Sequence, residues 1–192
     1  MSSNPLFAKA VDLFDAANAE DPQRVDGVAG EMLYARRMTH WLAELYPDAS
    51  EELQLAARCQ HIRRWMIPRS TYPKTRAGYH QWRTRLYSFH ADTAAEILRQ
   101  VGYDPARIDR VRALLKKERL KTDAQTQALE DVACLVFLEN YFAEFAARQE
   151  AEKMVTILRR TWAKMSPRAH GAALQLQLPD AARKLMEQAL AK

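Results

Sequence analysis

The sequence predicts an all-α protein, a single-domain bundle of about eight to nine helices. Three observations carry that expectation. Apolar residues recur at helical spacing almost from end to end, prolines and capping residues punctuate the pattern, and no run alternates like a strand. Only five glycines among 192 residues leave little for hairpins or phosphate-cradling loops, which argues against a Rossmann or P-loop enzyme.

Leu6, Ala10, Leu13, Phe14 and Ala17 mark a first amphipathic helix, ended before Asp21-Pro22. Asp26 is the expected cap of a second, which buries Met32, Leu33, Met38, Trp41, Leu42 and Leu45 before Tyr46-Pro47. Ser50 caps a third, with Glu51 and Glu52 at its positive end, running to about Trp65. An irregular stretch, 66–77, holds Pro68 and Pro73; a connection this long inside a compact domain is usually functional. A fourth helix spans about 78–101 and stops at Gly102. Asp104-Pro105 reads as a cap with proline at the first helical position, opening a fifth through Lys117.

Thr122 or Asp123 starts the longest helix, reaching about Arg148. Its Val132-Ala133-Cys134-Leu135-Val136-Phe137-Leu138 is apolar all round, the mark of an enclosed central helix. Further helices follow at 151–164, 167–176 and 179–191, so that about 166–192 forms a packed carboxy-terminal extension of one domain, 1–192. No apolar run approaches the roughly 20 residues needed to span a bilayer, so no membrane role is expected. The amino-terminal stretch lacks the basic start and unbroken apolar run of a secretory leader. Cys59 and Cys134 read as reduced, buried thiols of a cytoplasmic protein.

The net charge of +5 is unevenly distributed. From Leu53 to Ala91 there is no Asp or Glu, while the same 39 residues hold Arg58, Arg63, Arg64, Arg69, Lys74, Arg76, Arg83 and Arg85. The remainder carries 21 basic and 24 acidic residues, so a mildly acidic protein contains one strongly basic segment. Three of the five histidines and six of the 17 aromatic residues fall there too. Guanidinium forks bind phosphate bidentately, and packed like charges are costly without a counter-anion. Arg58, Arg64, Arg69, Arg76, Arg83 and the neighbouring Tyr79 are therefore candidate ligands of a phosphorylated small molecule or nucleotide, with RNA as another possible partner. Arg58 and His61 are expected three apart on one helix, and Arg83 shares a face with His90. Lys116, Lys117 and Lys121 form a smaller cluster that either complements the helix dipole or joins the same anion site. The alternative is a solvated basic face paired with the acids of the remainder.

Gln60-His61 and Glu130-Asp131 are polar residues on otherwise apolar helices, and buried charge needs partners. His61 and Asp131 could supply each other, directly or through a metal; the bland alternative is a hydrogen bond that orders the core. His40 is a further candidate ligand on chemistry, although a histidine on an amphipathic helix is more often a satisfied boundary residue.

The run Leu55-Ala56-Ala57-Arg58-Cys59-Gln60-His61-Ile62, followed on a later central helix by Glu130-Asp131, resembles the all-helical HD-domain phosphohydrolases. Where that superfamily has adjacent His and Asp, this chain has Gln60-His61. The earlier histidine position falls on Tyr34 by register or His40 by chemistry, and Asp131 matches the last ligand position. The stretch through Arg63-Arg64-Trp65, Pro68-Arg69, Tyr72-Pro73, Arg76-Ala77-Gly78-Tyr79 and Trp82-Arg83, continued by Glu130–Glu139, is similar to an uncharacterised family of small helical proteins, HD-domain-like, sometimes mislabelled as glutamyl-tRNA synthetases. The chain has neither the strands nor the length for a class I synthetase. The resemblance implies a phosphohydrolase using a divalent metal (Mn, Fe, Zn, Ni or Mg) held by His61, Asp131 and His40, with His61, Asp131 and Glu130 as catalytic residues. The alternative is an inactive HD-like module that binds RNA or a phosphorylated metabolite through the arginines.

Overall fold

The computed structural model describes residues 4–191, and among them the chain folds into ten α-helices, two short 3-10 helices and one two-residue hairpin. The helices are α1 (Pro5–Ala19), α2 (Gly30–Leu45), α3 (Glu51–Arg58), α4 (Arg76–Val101), α5 (Pro105–Leu115), α6 (Ala124–Asn140), α7 (Phe142–Ala146), α8 (Ala151–Trp162), α9 (Pro167–Ala173) and α10 (Asp180–Leu190). The all-α expectation stands, with more and shorter helices than eight or nine. No described helix is long and apolar enough to cross a membrane.

Many boundaries follow local chemistry. Ser50 accepts from Leu53 N, Asp104 from Arg107 N, Asp123 from Gln125 N and Thr126 N, and Ser166 from Ala169 N, each satisfying orphan amides of a first turn. Gly102, at φ +104, closes α4 with bonds back to Leu98 O and Arg99 O, a conformation that disfavours a Cβ.

Three boundaries differ from expectation. Asp26 is not a helix cap: with φ +50, beside Gly27 at φ +79, it turns a hairpin between Arg24–Val25 and Val28–Ala29. The cap of α2 comes instead from Asp21, whose Oδ2 accepts from Glu31 N at 2.9 Å. The third helix ends at Arg58, well short of Trp65. Beyond it Arg63 enters the left-handed region at φ +51, its N–H bonded to Asn18 Oδ1, and Ile62 O contacts His90 Nδ1. Side chains from α1 and α4 thus satisfy backbone groups that a helix would otherwise pair. The long helix breaks at Tyr141, where Asn140 Nδ2 bonds back to Val136 O and competes with the ladder.

Two hydrophobic clusters meet across α6. Phe14, Met38, Leu55, Ile62, Leu98, Leu114 and Leu129 belong to the first, built from α1–α5 and one face of α6. Leu135, Leu138, Phe142, Met154, Leu158 and Met186 belong to the second. That second cluster recruits α7 and α8, so the carboxy-terminal packing unit begins well before 166. Glu130 and Asp131 sit on α6 between the two clusters, 4% and 0% exposed. Both cysteines are free and buried.

Candidate anion-binding site

The residues of this site come from five places in the chain: α2, the turns after α3, α4, α6 with the segment preceding it, and the turn after α8. The His61 ring lies flat on Tyr34, with centroids 3.8 Å apart and planes within 9°. Its Nδ1 is 3.4 Å from Glu31 Oε2, and a quarter of its side-chain surface (26%) stays open. No hydrogen bond holds its Nε2 among the described residues. The surrounding protein desolvates the ring, and the charges of Arg64, Lys117 and Arg83 add to that. Together they hold the His61 pKa well below its ordinary value, so the imidazole is neutral.

Those three cations differ in their anchoring. Arg64 lies 5.1 Å from the centre of the Trp82 ring, with Nη1 3.9 Å from Glu31 Oε1. Arg83 bonds the Tyr87 hydroxyl and rests against the Tyr79 and Tyr87 rings at 5.8 and 5.3 Å; no described carboxylate pairs with it. Lys117, in the left-handed region at φ +57, is bonded to Glu130 Oε2. Lys164 approaches Glu130 Oε1 at 3.6 Å. Burial alone would raise the Glu130 pKa, but Lys117, Lys164 and Arg83 hold it below the ordinary carboxylate range. Glu31 fares the other way: burial pushes it up to about 7, only partly opposed by Arg64 and His90. His90, 5.9 Å from His61 between ring centres, is driven down to about 3, chiefly by burial, and its Nε2 has no partner.

Cations therefore outnumber ionised carboxylates at this place. Arg64, Arg83, Lys117 and Lys164 face one committed carboxylate, Glu130, and one, Glu31, whose burial favours the neutral form. Such a surplus in partly desolvated surroundings suits an anion.

Several expected ligands lie elsewhere. Asp131 does not meet His61. It accepts from Tyr46 Oη at 2.6 Å, Gln127 Nε2 at 2.9 Å, Ser166 N at 2.8 Å and Ser166 Oγ at 2.5 Å, bracing the start of α9. His40 is exposed and touches Trp41 rather than the cleft. Arg58 forks onto Asp15 of α1, with Nε 2.7 Å from Oδ1, because α3 ends there and its side chain meets α1. Arg69 ties down its own loop through Tyr72 O and Pro73 O, both at 2.8 Å. Arg76 and Lys121 are exposed, and Lys116 ends α5, so none of these three is drawn to His61. Tyr79, 40% exposed, borders the cleft through Arg83.

A metal fits poorly. Among the described residues no group of three or more His, Cys, Asp or Glu could hold a metal ion. Glu130 is occupied by ammonium groups, burial favours the neutral form of Glu31, and Asp131 serves α9. A separate cleft of about 280 Å³ beside α9 and α10 offers only Arg183 and Glu187 as charged groups, which suits an anion less well.

The residues that reading the sequence missed are Glu31 and Lys164. Glu31 sits three positions before Tyr34 on a helix whose inward face includes Met32, Ala35 and Met38; a charge inserted in that face was the available signal. Nothing in the local pattern distinguishes Lys164.

The chain matches the family model described as a domain of unknown function, DUF4202, over residues 8–186. No curated protein and no solved structure matches it. The protein belongs to this uncharacterised family.

Proposed function

We propose that this member of the family binds a phosphorylated small molecule or nucleotide in the cleft around His61, using Arg64, Arg83 and Lys117 in place of a metal. The single observation behind this reading is the convergence of three cations, from three chain segments, on one neutral imidazole, beside only Glu130 and a Glu31 whose burial favours the neutral form. Arg83 supports it most directly, since its guanidinium is oriented by Tyr79 and Tyr87 and keeps its fork free of carboxylates. The scaffold is read as HD-like, with Gln60-His61 in place of that superfamily's adjacent His and Asp. Metal-dependent hydrolysis by His61, Asp131 and His40 lacks support, because these residues do not meet.

The test is calorimetric titration with inorganic phosphate, pyrophosphate and nucleoside mono- and diphosphates, with a chelator present throughout. Binding should survive chelation and weaken with salt. Arg83→Gln should reduce affinity about tenfold or more, in line with ~1.5–3 kcal/mol for a charge-assisted hydrogen bond. Unchanged affinity in that variant, or binding that requires added metal, removes the proposal. A ligand that proves to be single-stranded RNA would show a salt slope set by several phosphates. It would then also depend on the exposed Lys74, Arg76 and Arg85 of the flank.

A further inference from the structure

His61 has the attributes of a nucleophile as well as those of a ligand contact. A histidine attacks phosphorus only through an unprotonated ring nitrogen, at a place where the phosphoryl charge is already balanced. Here the ring is neutral and its plane is held by the Tyr34 stack. One ring nitrogen faces Glu31, while the other, Nε2, has no hydrogen-bond partner among the described residues, in a side chain that is 26% exposed. Arg64, Lys117 and Arg83, which make the ring harder to protonate, are also placed to compensate phosphoryl oxygens. His90 does not share this role: it is 3% exposed, and its Nδ1 is engaged with Ile62 O. His40 and His80 are exposed side chains, without the ring stacking on Tyr34 that holds His61.

We infer that His61 accepts a phosphoryl group on Nε2 from a phosphoanhydride or acyl-phosphate ligand, an activity that rests on the cleft being an anion site. The Nε2 lone pair forms the N–P bond as the bridging P–O bond breaks. The leaving phosphate or carboxylate departs with that electron pair and needs no proton. The Nδ1 proton remains on the ring beside Glu31, which acts as a positioning residue. Water then adds to phosphorus, the P–N pair returns to Nε2, and both water protons leave with the dihydrogen phosphate. The net reaction is hydrolysis of the donor, or transfer if another acceptor takes the place of water.

The experiment uses the full-length protein with acetyl phosphate in chelator, quenched in alkali and read by intact mass and peptide mapping. One phosphoryl group should appear on the His61 peptide, stable to alkali and lost in acid, as a phosphoramidate is. Arg83→Gln should label at least tenfold more slowly, and Glu31→Gln more slowly than wild type with phosphate affinity retained. His61→Asn should take no label; the peptide assignment in the wild-type protein decides the matter if that variant fails to fold. Absence of label, or label on His40 and His80 as strong as on His61, overturns the inference. If inorganic phosphate still binds in that case, the anion site itself stands. If inorganic phosphate fails to bind at all, the underlying site is lost and this inference with it.

Discussion

Glu130 and Asp131 are consecutive on α6 and almost equally buried, yet they meet different kinds of partner. Around Glu130 the donors are charged: Lys117 is bonded to one oxygen and Lys164 lies 3.6 Å from the other, with Arg83 close enough to lower its pKa. Around Asp131 the donors are neutral: two hydroxyls, a carboxamide and a backbone N–H supply four hydrogen bonds. Both arrangements satisfy a buried carboxylate. They differ in what remains. Neutral donors around Asp131 use up their hydrogen-bonding capacity and leave a brace between α6 and α9. Cations around Glu130 exceed the one charge they neutralise, and the proposed anion would take up the remainder.

The sharpest way to break this contrast is Asp131→Ala, the largest expected effect. It strands Ser166 N, the Tyr46 hydroxyl and the Gln127 amide, and should cost about 3–5 kcal/mol in urea unfolding. Phosphate affinity per folded molecule should stay within about twofold, roughly 0.4 kcal/mol. A large loss of affinity would show that the Asp131 region is not separate from the cleft.

Glu31 supplies the next test, through pH. Its pKa in the folded chain, about 7, lies above the ordinary 4.5, so the native state holds an extra proton in that window. A raised value means stability is fully present below about 4.5 and is lost as pH rises through about 7. Glu31→Gln should therefore be about 2–3 kcal/mol more stable than wild type at pH 8, and equal to it near pH 4. The neutral histidines act in the opposite direction, losing stability as pH falls below 6.5, but they are common to both proteins. Parallel pH–melting curves for the two proteins would refute the assignment.

The smallest effect is also the most discriminating. Glu130→Gln releases Lys117 and Lys164 from their carboxylate, so affinity for inorganic phosphate should rise several-fold, about 1 kcal/mol, even if the fold loses some stability. Calorimetry at fixed ionic strength reads the change directly. Weaker phosphate binding in this variant would mean that the lysines need Glu130 to be held in place.

Much of the fold was legible because its signals are local. Ser50, Asp104-Pro105, Asp123 and Ser166-Pro167 start helices where expected, and the apolar run 132–138 marks the helix shared by both clusters. The misplaced boundaries are those where a distant side chain takes over a backbone bond, as Asn18 and His90 do after Arg58. Of the site, His61, Glu130, Arg64, Arg83 and Lys117 were recognisable as charged or titratable groups out of keeping with their surroundings. Arg58 and Arg69 were equally conspicuous and proved to be occupied by Asp15 and by two carbonyls.

From residue order alone came the helical class, most caps, the central helix and an acid-free basic segment, since periodicity, capping and charge spacing act over a few residues. Only the tertiary structure decided which charges cancel. A guanidinium is neutralised or left free by whatever carboxylate folding brings within about 4 Å, where Coulomb energy and desolvation are both large. That proximity gave Asp15 to Arg58, two lysines to Glu130 and, among the described residues, no carboxylate within ion-pair distance to Arg83.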